Sequence, residues 1–136
     1  MNVSGALHYF SVEPAELGLP PADMNIERAL DVGGYGRDFM HPRYSGASEL
    51  WAIDPDMNAV EFGRQRFPKV TVRHGYAENL PFHAAHFDVV TARVSLPYID
   101  IPTALSEIAR VMRPGGHLCI SLHDWSRHWQ SVKDVR

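Results

Sequence analysis

With 136 residues, 45% of them hydrophobic and 21% charged, the chain has room for one packed core and not for two ordinary domains. A formal charge of −3 argues against general attraction to nucleic acid or anionic lipid, and no run approaches the ~20 apolar residues that span a bilayer. The lone cysteine, Cys119, can form no internal disulfide and the first residues lack a secretory pattern, so a reduced, buried thiol and a cytoplasmic location are expected.

Residues 1–25 contain Pro14, Pro20 and Pro21, which limit them to short helical or irregular pieces, and they read as a cover segment. Residues 26–124 read as the core and 125–136 as a tail or short helix. Arg28–Val32 predicts a short buried strand running into Gly33-Gly34-Tyr35-Gly36. Pro42 falls where the next helix should run, and shortens or kinks it unless it sits in the first turn. Glu49 to Ile53 predicts a second strand ending at Asp54. Pro55 then suits the first helical position, with Met57, Ala59, Val60 and Phe67 facing inward before a stop at Pro68.

Val70 to Arg73 predicts a third strand closed by Gly75, and Phe87 to Ala92 a fourth. Leu105, Ile108, Ala109 and Met112 lie at i, i+3, i+4 and i+7, one stripe of a helix that starts near Pro102 and ends at Arg113-Pro114-Gly115-Gly116. Leu118 to Leu122 predicts a fifth strand. Apolar strands alternating with helices argue for an α/β domain whose mostly parallel sheet of about five strands carries helices on both faces. Ligands bind such sheets beyond the carboxyl ends of the strands, where the order reverses.

Four sets of residues follow the strands: Gly33 to Gly36, Asp54, Tyr76-Ala77-Glu78, and Arg93 to Tyr98. A glycine cluster between strand and helix lets backbone approach a ligand, although it also serves as a plain tight turn. An acid at the tip of the neighbouring strand accepts both hydroxyls of a ribose, although Asp54 before Pro55 also reads as a helix N-cap. Together they suggest an adenosine-containing ligand, either a dinucleotide or S-adenosylmethionine.

The runs Leu30-Asp31-Val32-Gly33, Ile53-Asp54-Pro55-Asp56-Met57, Gly75-Tyr76-Ala77-Glu78-Asn79-Leu80-Pro81-Phe82, His86-Phe87-Asp88-Val89-Val90 and Glu107-Ile108-Ala109-Arg110-Val111-Met112-Arg113-Pro114-Gly115-Gly116 come in unbroken order. In this they resemble the small-molecule class I methyltransferases often grouped as type 11. The resemblance implies a Rossmann-like fold, S-adenosylmethionine as cofactor and methyl transfer to a small-molecule acceptor. By position it places Gly33, Gly34 and Gly36 under the methionine part of the cofactor and Asp54 on the ribose. It places Met57 or its neighbours, with Ala77 and Glu78, along the adenine and Asp31 near the amino end of the cofactor, and it counts Tyr76 and Arg93 among the cofactor-binding positions. It implies no universal catalytic residue, because the sulfonium leaving group drives the displacement. No metal-site spacing is present.

Three positions depart from the family pattern. Tyr35 and Arg37 stand where a gapless alignment expects glycines, and Tyr76 stands where an aspartate usually accepts from the adenine amino group. Two further strands normally follow the fifth, so a sheet without them is expected, leaving an exposed edge that invites a homodimer or is covered by a helix bearing Trp125 and Trp129, unless the sequence is a fragment of a longer one. These departures keep a second reading in view, a non-catalytic protein that retains the fold. Leu96-Pro97-Tyr98 resembles only loosely the Pro-Pro-Tyr loop of amino-group methyltransferases, and His123 near the acceptor side reads as a surface or cap residue.

Overall fold

The structure is a computed structural model that describes residues 19–93 and 99–121, without the side chains of Arg93 and Ser121. Five strands form one parallel sheet: β1 (Arg28–Val32), β2 (Glu49–Asp54), β3 (Thr71–His74), β4 (Phe87–Arg93) and β5 (Met112–Ser121). Their order is β3-β2-β1-β4-β5. The chain steps outward from β1 to β3 and then returns to the other side of β1, which opens a crevice beyond the carboxyl ends of β1 and β4. Two α-helices, α1 (Met57–Arg66) and α2 (Ile101–Val111), cover the sheet. The α/β class and the strand count expected above are both met among the described residues.

Alternation along the strands divides the core by face. Leu30, Val32, Ile53 and Val90 pack with Ala104, Ile108 and Val111 of α2. Ala29, Ala52, Val72 and Val89 pack on the other face with Val60 of α1 and with Phe39 and Tyr44. Asp31 and Thr91, paired in register on β1 and β4, share the parity of this second set.

Several boundaries differ from expectation for local reasons. Where the first helix was expected to be shortened by Pro42, two 3-10 turns, Arg37–Met40 and Pro42–Tyr44, replace it altogether. Helix α1 starts after Pro55, because Asp56 is its N-cap, accepting from the Asn58 amide at 2.9 Å. Met57 is consequently exposed, and the inward face is Val60 and Gly63. The inward face of α2 is Ala104, Ile108 and Val111, which keeps Ile108 of the predicted stripe but has Ala104 and Val111 in place of Leu105 and Met112, and Met112 already pairs with Phe87 in the sheet. Arg113 to Gly116 is therefore a bulge inside β5 and not the turn before it, with Gly115 at φ 80.

Asp88 ties the amino-terminal ends of three strands together. One carboxylate oxygen accepts from the amides of Glu27 at 2.7 Å and Arg28 at 2.8 Å, and the other pairs with Arg113. These bonds outweigh the cost of burial and hold the Asp88 carboxyl below its ordinary pKa. Among the described residues β5 pairs only with β4, and no helix is long and apolar enough to cross a membrane. Trp125, Trp129, His123 and Leu96 to Tyr98 lie outside the described residues.

Candidate functional site

Strand β1 ends with Val32, and the next amide, Gly33, donates to the Ile53 carbonyl of β2 at 2.8 Å. Across β2 the Gly75 amide donates to the Asp54 carbonyl at 3.1 Å. The loops after β1 and β3 are thereby drawn to the tip of β2, so the glycine loop, Asp54 and the segment beginning at Tyr76 stand side by side.

The glycine loop turns because Gly33 and Gly36 take φ values of 76 and 96, which side chains disfavour. Gly34 is required for a different reason: a Cβ there would overlap the Asp31 carboxylate. Asp31 is 1% exposed and accepts from the Thr91 hydroxyl at 2.8 Å. It lies against the backbone of Gly34 in the loop. Thr91 is a residue the sequence reading passed over.

Tyr35, which stands in the loop where the family pattern has glycine, packs against α1. Its ring lies 5.4 Å from that of Phe62, edge to face, and 6.0 Å from that of Phe67, stacked. A Cβ on Gly63 of α1 would come within 2.5 Å of the Tyr35 carbonyl, so that glycine lets the loop settle against the helix. The tyrosine that replaces glycine is thus the anchor of the loop on α1.

Asp54 is 9% exposed at the tip of β2. Its Oδ1 accepts from the Asp56 amide at 2.9 Å, a turn closed two residues on, and this replaces the expected cap on α1. Its Oδ2 accepts no hydrogen bond from the described residues. Burial raises the Asp54 pKa, with the Asp56 amide and His74 acting in the opposite sense. His74 itself donates from Nε2 to the Pro55 carbonyl at 3.0 Å and meets the Tyr76 ring edge-on at 5.4 Å.

The remaining predicted positions divide. Met57 and Tyr76 are exposed at 45% and 54%, Glu78 is half-buried, and Ala77 is buried in the core against β1 and α2. Ala77 therefore offers backbone alone. The backbone of Arg93 ends β4 opposite Ser121. Among the described residues no three His, Cys, Asp or Glu side chains are arranged to hold a metal. A cleft of about 480 Å³ lined by Trp51, Arg73, Leu80, Phe82, His83 and His86 shares no residue with this group.

The strand-end arrangement can hold an adenosine-bearing ligand in physical terms. Gly34 and Gly36 let the loop lie tight on Asp31 and Val70, and the neighbouring Asp54 carboxylate, largely desolvated, has one oxygen that can accept from hydroxyl donors.

Comparison with known proteins agrees with that chemistry. The model of a family described as "Methyltransferase domain" matches residues 30–120. The ubiquinone/menaquinone biosynthesis C-methyltransferase UbiE of Laribacter hongkongensis is 30% identical over 142 residues, covering 98% of this chain and 56% of that protein. The biotin biosynthesis bifunctional protein BioHC of Cellvibrio japonicus is 31% identical over 120 residues, covering 82% of this chain and 24% of that protein. Among solved structures, the YcgJ protein of Bacillus subtilis is 29% identical with a TM-score of 0.63, covering 71% of this chain and 45% of that one. A SAM-dependent methyltransferase of Thermotoga maritima is 27% identical with the same TM-score, covering 87% and 55%. The chain thus spans less than two thirds of the length of these relatives.

Proposed function

The chain belongs to the class I S-adenosylmethionine-dependent methyltransferase family, and from that premise we propose that it binds S-adenosylmethionine and transfers its methyl group to a small-molecule acceptor in the cytoplasm. The observation that carries this reading is Asp54. A carboxylate so far desolvated, with one oxygen uncommitted, is compensated when two ribose hydroxyls donate to it. Relatives named for quinone and biotin biosynthesis support a small-molecule acceptor.

In this reading Gly33, Gly34 and Gly36 give the methionine part of the cofactor close access to backbone, and Asp31 with Thr91 holds Gly34 from below. Met57 and Tyr76 close over the adenine, with Ala77 offering its backbone and Glu78 its side chain, while Arg93 stands at the rim. The cofactor supplies a methyl on a sulfonium that leaves without protonation. The protein's part is alignment, and a base is needed only for an acceptor that must lose a proton early. No residue is assigned as a base. Residues 1–25 act as a cover and 26–124 as the cofactor unit.

Calorimetric titration with S-adenosylmethionine and S-adenosylhomocysteine tests this directly. Saturable binding of both, lost in Asp54→Ala, is expected. Failure of the wild-type chain to bind either at millimolar concentration would leave a fold-retaining, non-catalytic protein as the better reading, and binding of NADH instead would point to a nicotinamide enzyme.

A further inference from the structure

The crossover from β3 to β4, residues 75–86, passes over the α2 face without forming a helix, so its backbone amides and carbonyls need partners from elsewhere. It begins with a tight turn in which the Asn79 amide donates to the Tyr76 carbonyl at 3.1 Å. Leu80 follows at once, 2% exposed, with its side chain in the core. Both backbone groups of Leu80 then meet side chains of α2, and its carbonyl also accepts from the Phe82 amide at 2.9 Å. Its amide donates to Glu107 Oε1 at 2.9 Å, and its carbonyl accepts from Arg110 Nη2 at 2.8 Å.

The same guanidinium reaches further along the segment. Arg110 Nη1 donates to the Phe82 carbonyl at 2.8 Å, while its Nε and Nη2 grip the Glu107 carboxylate at 2.6 and 3.1 Å. One planar fork thus joins two loop carbonyls and one carboxylate, a combination that a lysine ammonium cannot reproduce. Two of the ordered sequence signatures, Leu80-Pro81-Phe82 and Glu107 with Arg110, are in this sense one device.

We infer that Glu107 and Arg110 are positioning residues that set where the Tyr76–Glu78 segment stands and thereby tune recognition of the adenine. They touch neither the glycine loop nor Asp54. The effect passes through Leu80, which is one residue beyond the turn and is fixed on its amide and carbonyl sides by α2. The inference rests on the proposed cofactor reading for its functional half, and on geometry alone for its structural half.

Arg110→Ala, Arg110→Lys and Glu107→Gln separate these halves. The glutamine keeps an acceptor for the Leu80 amide and loses the ion pair, and the lysine keeps charge without the fork, so both guard against a variant that fails to fold. In Arg110→Ala, amide exchange at Asn79 and Leu80 is expected to accelerate while β1 and β4 stay protected. Affinity for S-adenosylhomocysteine falls about fivefold to tenfold. Preference for it over S-inosylhomocysteine, which differs only in the base, shrinks as well, with Arg110→Lys intermediate. General destabilisation would weaken both ligands equally. Unchanged exchange at Leu80, or an unchanged ratio between the two ligands in a folded variant, overturns the inference. A wild-type chain that binds neither ligand fails the cofactor reading instead, and the exchange measurement still decides whether the clamp holds the loop.

Discussion

Asp54 carries opposed demands. Burial raises its pKa, and a carboxylate so raised weakens the ligand-free fold at neutral pH; that penalty fades as pH falls through the raised pKa. Asp54→Asn keeps an oxygen for the Asp56 amide and removes the charge. Thermal unfolding is expected to show equal or higher stability, while titration shows S-adenosylhomocysteine bound about tenfold or more weakly, because charge-assisted hydrogen bonds are lost. Tyr35 gives a second residue-scale test. Its ring is held by Phe62 and Phe67, so Tyr35→Gly is expected to cost about 1–3 kcal/mol of stability from lost aromatic contact and added loop entropy. No gain in cofactor affinity should accompany it. A tighter complex in that variant, measured by the same titration, would mean that the ring does obstruct the site.

At the scale of the elements, the sheet depends on carboxylates that join strands at opposite ends. Asp88 accepts from the amides of Glu27, just before β1, and of Arg28, its first residue, and pairs with Arg113 in the β5 bulge. Asp88→Ala leaves those part-buried amides and the Arg113 guanidinium without this partner, and a loss of about 1–3 kcal/mol in chemical denaturation is expected. The glycine loop depends on Asp31 in the opposite way, because it must leave room for it. Gly34→Ala places a methyl group on the carboxylate, so either Asp31 or the loop moves. A destabilisation of about 1–3 kcal/mol together with loss of cofactor binding is expected, checked by denaturation and titration on the same sample. The helix faces show where sequence patterning is less informative. On α2 the apolar residues Leu105 and Ala109 flank Ala104, Ile108 and Val111, and a one-residue ambiguity in a helix with so many apolar positions is settled only by the sheet against which it packs.

For the whole molecule, acid stability should fall in two steps. Burial lowers the His117 pKa, so a folded chain resists charging it, and stability is lost as pH drops below about 6.5, where the unfolded histidine gains its proton. Asp88 and Glu107 are held below their ordinary values by bonded partners, Asp88 by the Arg28 and Glu27 amides and Glu107 by Arg110. Their contribution is present above about pH 4 and is lost as pH falls through the lowered values. His117→Leu should abolish the first step and leave the second, as read by melting temperature between pH 7 and 3. If the two steps move together, His117 is not the group that titrates.

The alternation of short apolar runs with glycine and proline stops was enough to determine the five strands, their parallel class and the ordered signatures of the family, because strand period and chain punctuation are local properties. Asp54 and the glycine positions were legible for the same reason, each lying at the end of a strand. What lay beyond the sequence was which partners those residues keep. Only the folded sheet turns Tyr35 onto α1, sets Thr91 against Asp31, moves the cap from Asp54 to Asp56 and brings Glu107 and Arg110 to the carbonyls of residues about thirty positions earlier. These are hydrogen bonds and contacts between segments distant in the chain. No local pattern encodes them, because each exists only once parallel strands and their covering helices have closed around a shared core.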